Sequence, residues 1–360
     1  MFDSKVAVIK IGSNVLTQSN GLPDLERMGH LVTQIQGLIA QGKKIVLVSS
    51  GAVAFGRQSI ALPEKLNPVF KKQIWASTGQ IKLINQYQEL FGKLNQPIAQ
   101  ILVTKEDFRD RKHFLNMKNC VEALLQQGIL PIINENDTVT ITELMFTDND
   151  ELASLTAAMI NADTMILLTN VDGIFTGNPS EPESELIEKV ASSMHEVSSY
   201  ISATKSSFGR GGMLTKYAMA KKSADLGIQV IIANGKKDGV LSAFAAKSLR
   251  CTWFEPQKVK HATKKWLAHG AQYYKAEITI NEGAKASLTS SVIRSLLPVG
   301  ITKIEGEFSK GDILLIQDEK GEKIGLGRAE YASKLALERL GQKNQKALIH
   351  YDYLYLFDHD

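Results

Sequence analysis

Residues 6–16 read VAVIKIGSNVL. A run of apolar residues carries one lysine, Lys10, near its end and then breaks at Gly12-Ser13-Asn14. An ammonium group in a buried strand is costly unless an anion or a carboxylate meets it, so this stretch predicts a covered strand and a partner for Lys10 at its end. Five further segments share its texture: KIVLVSS (44–50), IAQILVT (98–104), ILPIIN (129–134), TMILLT (164–169) and IQVIIA (228–233). None alternates with period two, as expected of strands covered on both faces. Helix-like stretches lie between them, at Leu25–Ala40, Val69–Leu94, His113–Gln127, Glu151–Ile160 and Leu214–Leu226. Strands alternating with helices predict an α/β fold, an open and mostly parallel sheet sandwiched by helices.

The pattern changes after about Trp253. KVKHATKKW (258–266) is basic and polar, and from Ala276 short alternating strands are separated by glycine-containing turns, as in AEITINEG (276–283). The reading is a first domain over 1–255, a linker over 256–275 and a small β-rich domain over 276–360. At 360 residues, 44% of them hydrophobic, two domains are the natural division. A net charge of +4 advertises neither a polyanion-binding surface nor an acidic tail. Cys120 and Cys251 have no metal-ligand spacing around them, so neither a disulfide framework nor a zinc site is expected. The N-terminus MFDSKVAVIK turns polar too early for a signal peptide, and no apolar run has the length of a membrane span. These features predict a soluble cytoplasmic protein.

Ligands of open parallel sheets lie beyond the carboxyl ends of the strands. There the sequence places Gly12-Ser13-Asn14, Ser49-Ser50-Gly51-Ala52, Asn134-Glu135-Asn136-Asp137 and Thr169-Asn170. Small residues at such turns let backbone amides approach a ligand, and a following helix N-terminus favours anions. Taken singly, Ser50 also fits a helix N-cap, Asn134 and Asp137 fit turns, and Asp148-Asn149-Asp150 fits a capping cluster. GRGGMLTK (209–216) before a long helix suits a loop whose amides wrap phosphate oxygens, with Lys216 adding a second cation. Gly37-x-x-x-x-Gly42-Lys43-Lys44 has the outline of a phosphate loop but lacks the Ser or Thr and follows a helix, so Gly42 reads as a helix C-cap.

With KIGS (10–13), SSGA (49–52), INEND (133–137), FTDNDELAS (146–154) and GGMLTK (211–216) in this order, the chain resembles the amino-acid kinase family. The INEND and FTDND segments are most similar to the branch that phosphorylates glutamate, and LLPVGITKIEGEFSKGDILLI (296–316) resembles a PUA domain. The resemblance implies ATP-dependent phosphorylation of the γ-carboxylate of L-glutamate to L-glutamyl 5-phosphate, the first step of proline synthesis. It implies that Lys10 and Lys216 contact the transferred phosphoryl group while Asp150 holds them. Ser50, Gly51, Asn134, Asp137, Asp148 and Asn149 would bind the acceptor. Lys10, Gly12, Ser13, Thr169, Asn170 and Arg210, Gly211, Gly212, Met213, Leu214, Thr215, Lys216 would surround the nucleotide. Mg²⁺ would be carried by ATP, with no protein ligand assigned.

Asn170 and Asn178 stand where the family often has aspartate, and Arg210 where threonine is common. The resemblance also implies inhibition by proline and assembly into a homodimer or homotetramer, and the lack of a long apolar run argues against a membrane partner. The TVTITELMFTDND segment (138–150) is expected to exclude water from the acyl phosphate. Rival readings are a family member with another carboxylate or phosphate acceptor, and an RNA-binding protein acting through the PUA-like domain. From 256 to 360 there are 16 Lys and Arg against 13 Asp and Glu, an excess too small to indicate a nucleic-acid face.

Overall fold

The computed structural model describes residues 5–139, 146, 148–191, 212–246, 248–257, 274–290 and 294–357. The chain divides into two compact units, residues 1–107 with 115–258, and residues 108–114 with 259–360. The first unit is built on an eight-stranded sheet in the order β3-β4-β2-β1-β5-β7-β8-β6. Its strands are β1 (Val6–Ile11), β2 (Lys44–Ser49), β3 (Ile98–Val103), β4 (Leu130–Glu135), β5 (Thr164–Thr169), β6 (Lys189–Val190), β7 (Gln229–Asn234) and β8 (Thr252–Phe254). The strands from β3 through β7 in that order run parallel to their neighbours, while β8 is antiparallel to β7. All six apolar segments of the sequence are thus strands. The two additions, β6 and β8, are only two and three residues long and carry no apolar run to announce them.

The helices before the second sheet are α1 (Leu25–Ala40), α2 (Ala52–Ser59), α3 (Pro68–Gly92), α4 (Lys105–Arg109), α5 (Arg111–Gln126), α6 (Asn149–Met159), α7 (Met213–Asp225) and α8 (Val240–Ala245), all but the 108–114 part of α4 and α5 belonging to the first unit. Side chains alternate across a strand, and here the alternation separates two buried layers. Ala7, Ile9 and Ile11 of β1 pack with Leu47, Ile132 and Ile166 in a core closed by Met28, Leu31 and Ile35 of α1 and Leu83, Tyr87 and Phe91 of α3. Val8 and Lys10 therefore point to the other face, where α6 packs on β1 and against α7. Every residue of α6 from Asp150 to Met159 is buried, which fits the small and apolar side chains that dominate ELASLTAAM, and Glu151 among them is paired with Lys105.

Two glycines set how the helices leave the sheet. Gly51 adopts φ of 115° between β2 and α2, a conformation an L side chain takes only under strain. At Gly79 in α3, a Cβ atom would lie 1.8 Å from the carbonyl oxygen of Ala52, so the two helices touch backbone to backbone there. Gly42 has φ of 80° and donates its N–H to Ile39 O just beyond α1, as the C-cap reading of the sequence requires.

The second unit holds a five-stranded sheet ordered β10-β9-β11-β12-β13, with β9 (Ala276–Ile280), β10 (Ile301–Glu305), β11 (Ile313–Asp318), β12 (Lys323–Ala329) and β13 (Ile349–Leu356). Only the β9–β11 pair is parallel. One face buries Ile278, Ile280, Leu314, Ile316 and Ile324, and the opposite face buries Ile313, Leu315 and Leu326 beside Tyr353 and Tyr355. Short helices at Glu282–Thr289 and Ser333–Glu338 complete it. No helix among the described residues is long and apolar enough to cross a membrane.

Candidate active site

Lys10 is 4% exposed and Asp150 is fully buried, and their charged atoms meet at 2.7 Å. The other carboxylate oxygen of Asp150 accepts from Lys216 Nζ at 2.8 Å. The partner that the sequence of β1 demands for its lysine is therefore a carboxylate, shared with a second lysine. Asp150 sits in the first turn of α6, Lys216 in the first turn of α7 and Lys10 in β1, so three elements fix three charges at one point. One carboxylate serves two ammonium groups, so these three side chains together carry one net positive charge, with Asp148 beside them.

Burial by itself would raise the pKa of Asp150, but the two lysines outweigh it and hold the carboxyl well below the usual carboxylate range. Burial pushes Lys216 down, and the charge and hydrogen bond of Asp150 together with Asp148 more than compensate, so its pKa lies above the ordinary lysine value. Asp148 shifts opposite to Asp150. Its burial and the neighbouring charge of Asp150 raise it, against the opposing pull of Lys10, Lys216 and the Thr215 hydroxyl. Asp148 is also the N-cap of α6, accepting from the N–H groups of Asp150 and Glu151 at 2.9 and 3.1 Å, while Thr215 Oγ1 lies 2.8 Å from its other oxygen. The capping cluster of the sequence divides accordingly: Asp148 caps, Asn149 and Asp150 reach into the site.

Asn149 Nδ2 donates to Ser50 Oγ at 2.8 Å and to Asn134 Oδ1 at 3.0 Å, and Asn134 Nδ2 donates to Gln80 Oε1 at 2.9 Å. Ser50 is thus not the N-cap of α2. That position belongs to Gly51, and the Ser50 hydroxyl is turned to α6. Asp137 is bonded to Lys72 Nζ of α3.

Apart from Gln80 and Thr215, these groups line a cavity of about 860 Å³ at the carboxyl ends of β1, β2, β4 and β5. Of the candidate residues of the sequence, Lys10, Gly12, Ser13, Ser50, Gly51, Asn134, Asp137, Asp148, Asn149, Asp150, Thr169, Asn170, Gly212, Met213 and Lys216 all stand on its wall. Thr215 is held against Asp148 behind the wall, and Leu214 is turned to solvent, 42% exposed. Arg210 and Gly211 lie outside the described residues, as do 140–145 and 147 of the TVTITELMFTDND segment. Asn170 and Asn178, the two departures from aspartate, both line the cavity. Among the described residues, no group of three His, Cys, Asp or Glu side chains is placed to hold a metal ion.

Two wall residues that the sequence reading passed over are Lys72 and Arg57. Lysine in a 25-residue helix reads as solvated, yet the signal was present: Lys72 lies four residues before Ala76 on the buried stripe Ala76, Gly79, Leu83, Tyr87 of α3. Arg57 of α2 has no comparable signal. Its guanidinium lies 4.8 Å from the centre of the Trp75 ring.

The model of the amino acid kinase family matches residues 5–234, and that of the PUA domain matches 276–350. A glutamate 5-kinase of Bacteroides thetaiotaomicron is 49% identical over 351 residues, 97% of each chain. One of Chlorobaculum tepidum is 48% identical over 354 residues, 97% of this chain and 96% of its own. Among solved structures, a carbamate kinase from Giardia lamblia bound to AMP-PNP superposes with a TM-score of 0.50 at 18% identity, covering 71% of this chain and 100% of its own. A UMP kinase from Bacillus anthracis gives 0.50 at 16% identity, over 70% and 96%. The last two likenesses concern the fold alone.

Proposed function

The chain belongs to the amino acid kinase family, on its glutamate 5-kinase branch, and from that premise we propose that it transfers the γ-phosphoryl group of ATP to the γ-carboxylate of L-glutamate, forming L-glutamyl 5-phosphate at the start of proline biosynthesis. The observation that carries the reading is the grip of one fully buried aspartate, Asp150, on Lys10 and Lys216 at 2.7 and 2.8 Å on the wall of a cavity also lined by Ser50, Asn149, Asn134 and Asp137.

The chemistry needs little else. A glutamate γ-carboxylate is ionised near neutral pH, with an ordinary pKa of about 4.3, so it attacks phosphorus without a general base. The difficulty is electrostatic: an anion approaches a triphosphate, and charge accumulates on the equatorial oxygens of the group in flight. Lys10 and Lys216 neutralise that charge, and Asp150 keeps both ammonium groups aimed. The amides after Gly12 and at the N-terminus of α7 take phosphate oxygens, and Thr169 with Asn170 faces the nucleotide. Mg²⁺ would be supplied with ATP to offset phosphate charge, and no side chain of the chain is assigned to hold it. On the acceptor side, Ser50 and Asn149 orient the substrate chain and Asp137 receives its ammonium group. The reading includes a cytoplasmic location, a homodimer or homotetramer, and inhibition by proline, which offers the same α-carboxylate and a charged amine to the acceptor end.

A coupled assay of ADP release with ATP, Mg²⁺ and a panel of glutamate, N-acetylglutamate, aspartate, carbamate and UMP, with and without proline, tests it. Release specific to glutamate is the expected result. Turnover with another acceptor and none with glutamate would overturn the assignment.

A further inference from the structure

Glutamate presents a carboxylate at each end, and the end away from the phosphoryl group carries a positive and a negative charge on the same carbon. A site that selects this molecule must answer both charges. The cavity wall offers Asp137 for the ammonium group, and a cation is still needed for the α-carboxylate.

Two candidates line that end, Arg57 and Lys72. The Arg57 guanidinium is exposed and lies over the Trp75 ring, which commits it to the rim. Lys72 is different. Its side chain is 30% exposed, it extends from the buried stripe of α3, and its Nζ is bonded to Asp137, whose side chain is 13% exposed. A second tie, from Gln73 Nε2 to Thr138 O at 3.3 Å, holds the same turn of α3 to the segment that carries Asp137. The lysine is therefore fixed beside the carboxylate.

Resting on the glutamate reading above, we propose that Lys72 binds the α-carboxylate of the acceptor while Asp137 binds its ammonium group, so that the ion pair of the free site becomes a four-charge ring when substrate enters. An ammonium and a carboxylate in contact are spaced as the two charged groups on an amino-acid α-carbon are, and each protein charge then faces an opposite one. The total charge of the group is zero before and after binding, so no uncompensated ion is left in a half-buried place. Without Lys72, an α-carboxylate beside Asp137 would put two like charges together, which disfavours binding. The opposite role, a latch that occupies Asp137 and must be displaced, would make Lys72 a competitor of the substrate. Both roles start from the same ion pair and differ in the sign of the effect.

The test uses the full chain, with Lys72→Met and Lys72→Arg beside the wild type. The measurements are kcat and KM for glutamate, and inhibition constants for glutarate, which lacks the ammonium group, and 4-aminobutyrate, which lacks the α-carboxylate. Lys72→Met is expected to raise KM for glutamate and Ki for glutarate roughly 10- to 100-fold, the size of a charge-assisted hydrogen bond, with kcat within about threefold. Ki for 4-aminobutyrate should stay within about twofold, and Lys72→Arg should recover most of the glutamate affinity. A KM that is unchanged or lower in Lys72→Met overturns the proposal in favour of a latch. Equal losses for both analogues, or no rescue by Lys72→Arg, overturn it in favour of a disturbed helix. A wild type without glutamate-dependent ADP release would instead remove the parent reading, whereas an active wild type with an indifferent Lys72→Met removes this assignment alone.

Discussion

Replacing Asp150 by asparagine tests the centre of the site with almost no change of shape. The carboxylate is fully buried and lies 2.7 Å from Lys10 Nζ and 2.8 Å from Lys216 Nζ. At an effective dielectric constant of about 20, each contact is worth about 6 kcal/mol of attraction, most of it offset by the cost of removing the three charges from water. Removing the one anion keeps the desolvation of both lysines and loses the attraction. Breaking a buried pair in this way costs about 3–5 kcal/mol, which for a unit of this size lowers Tm by roughly 6–20 °C at neutral pH. The pH dependence has a definite sign. The carboxyl of Asp150 titrates below the ordinary value of 3.8, so its contribution is present above that pH and is lost as pH falls through the lower, folded-state pKa. The difference between wild type and Asp150→Asn is therefore full at pH 7 and narrows below about pH 4. In the same preparation kcat should fall roughly 100-fold or more, because neither lysine remains anchored over the transferred group. Thermal melts across pH and steady-state ADP release make the measurement. A variant that melts within about 2 °C of wild type and turns over within about threefold would refute the reasoning.

Lys10→Met and Lys216→Met should each lower kcat roughly 10²- to 10³-fold while KM for glutamate moves only a few-fold, and a near-normal turnover number would remove that lysine from the mechanism. Asp137→Ala should raise KM for glutamate roughly tenfold or more with kcat within about threefold, and an unchanged KM would contradict its place at the ammonium group. Gly79→Ala forces a methyl group to 1.8 Å from Ala52 O, so it should destabilise the first unit by about 1–3 kcal/mol or more in urea titrations. An unchanged midpoint would mean that α2 and α3 separate at little cost.

The parallel sheet was legible because six apolar runs without alternation have few other places to go. The helix α2 was not legible: AVAFGRQS is short, carries Gly56 in its middle and starts directly after Gly51, so nothing separates it from a polar turn. Its glycine is instead a packing device, since a Cβ there would sit 2.0 Å from Trp75 O. Legibility of the site followed the same division between local and distant signals. Polar residues at strand ends announce themselves, whereas the bonds of Asn149 to Ser50 and Asn134 join three elements up to 99 residues apart. Lys72 shows a different failure, a cation that looks solvated until the elements packed around its helix are known.

The strand order fits the proposed place of the β1 lysine, where the two substrates would meet. Moving across the sheet from β4 to β5, the strands are β4, β2, β1 and β5. The proposed acceptor residues come from the ends of β4 and β2, at Asn134, Asp137 and Ser50, and the proposed nucleotide residues Thr169 and Asn170 come from the end of β5. A group that passes between the two sides must cross the end of β1, the strand on which Lys10 sits with its side chain on the α6 face. Connections leave β1 toward β2 on one side and return to β5 on the other, which opens the crevice at that strand and at no covered one. Alternation then requires that Ile9 and Ile11 serve the core while Lys10 serves the crevice, so a one-residue slip of β1 would bury a methyl-bearing side chain at the transfer point and drive the ammonium into the α1 layer. The register of β1 against β2, with Lys10 opposite Val48, is in that sense a catalytic coordinate as well as a structural one.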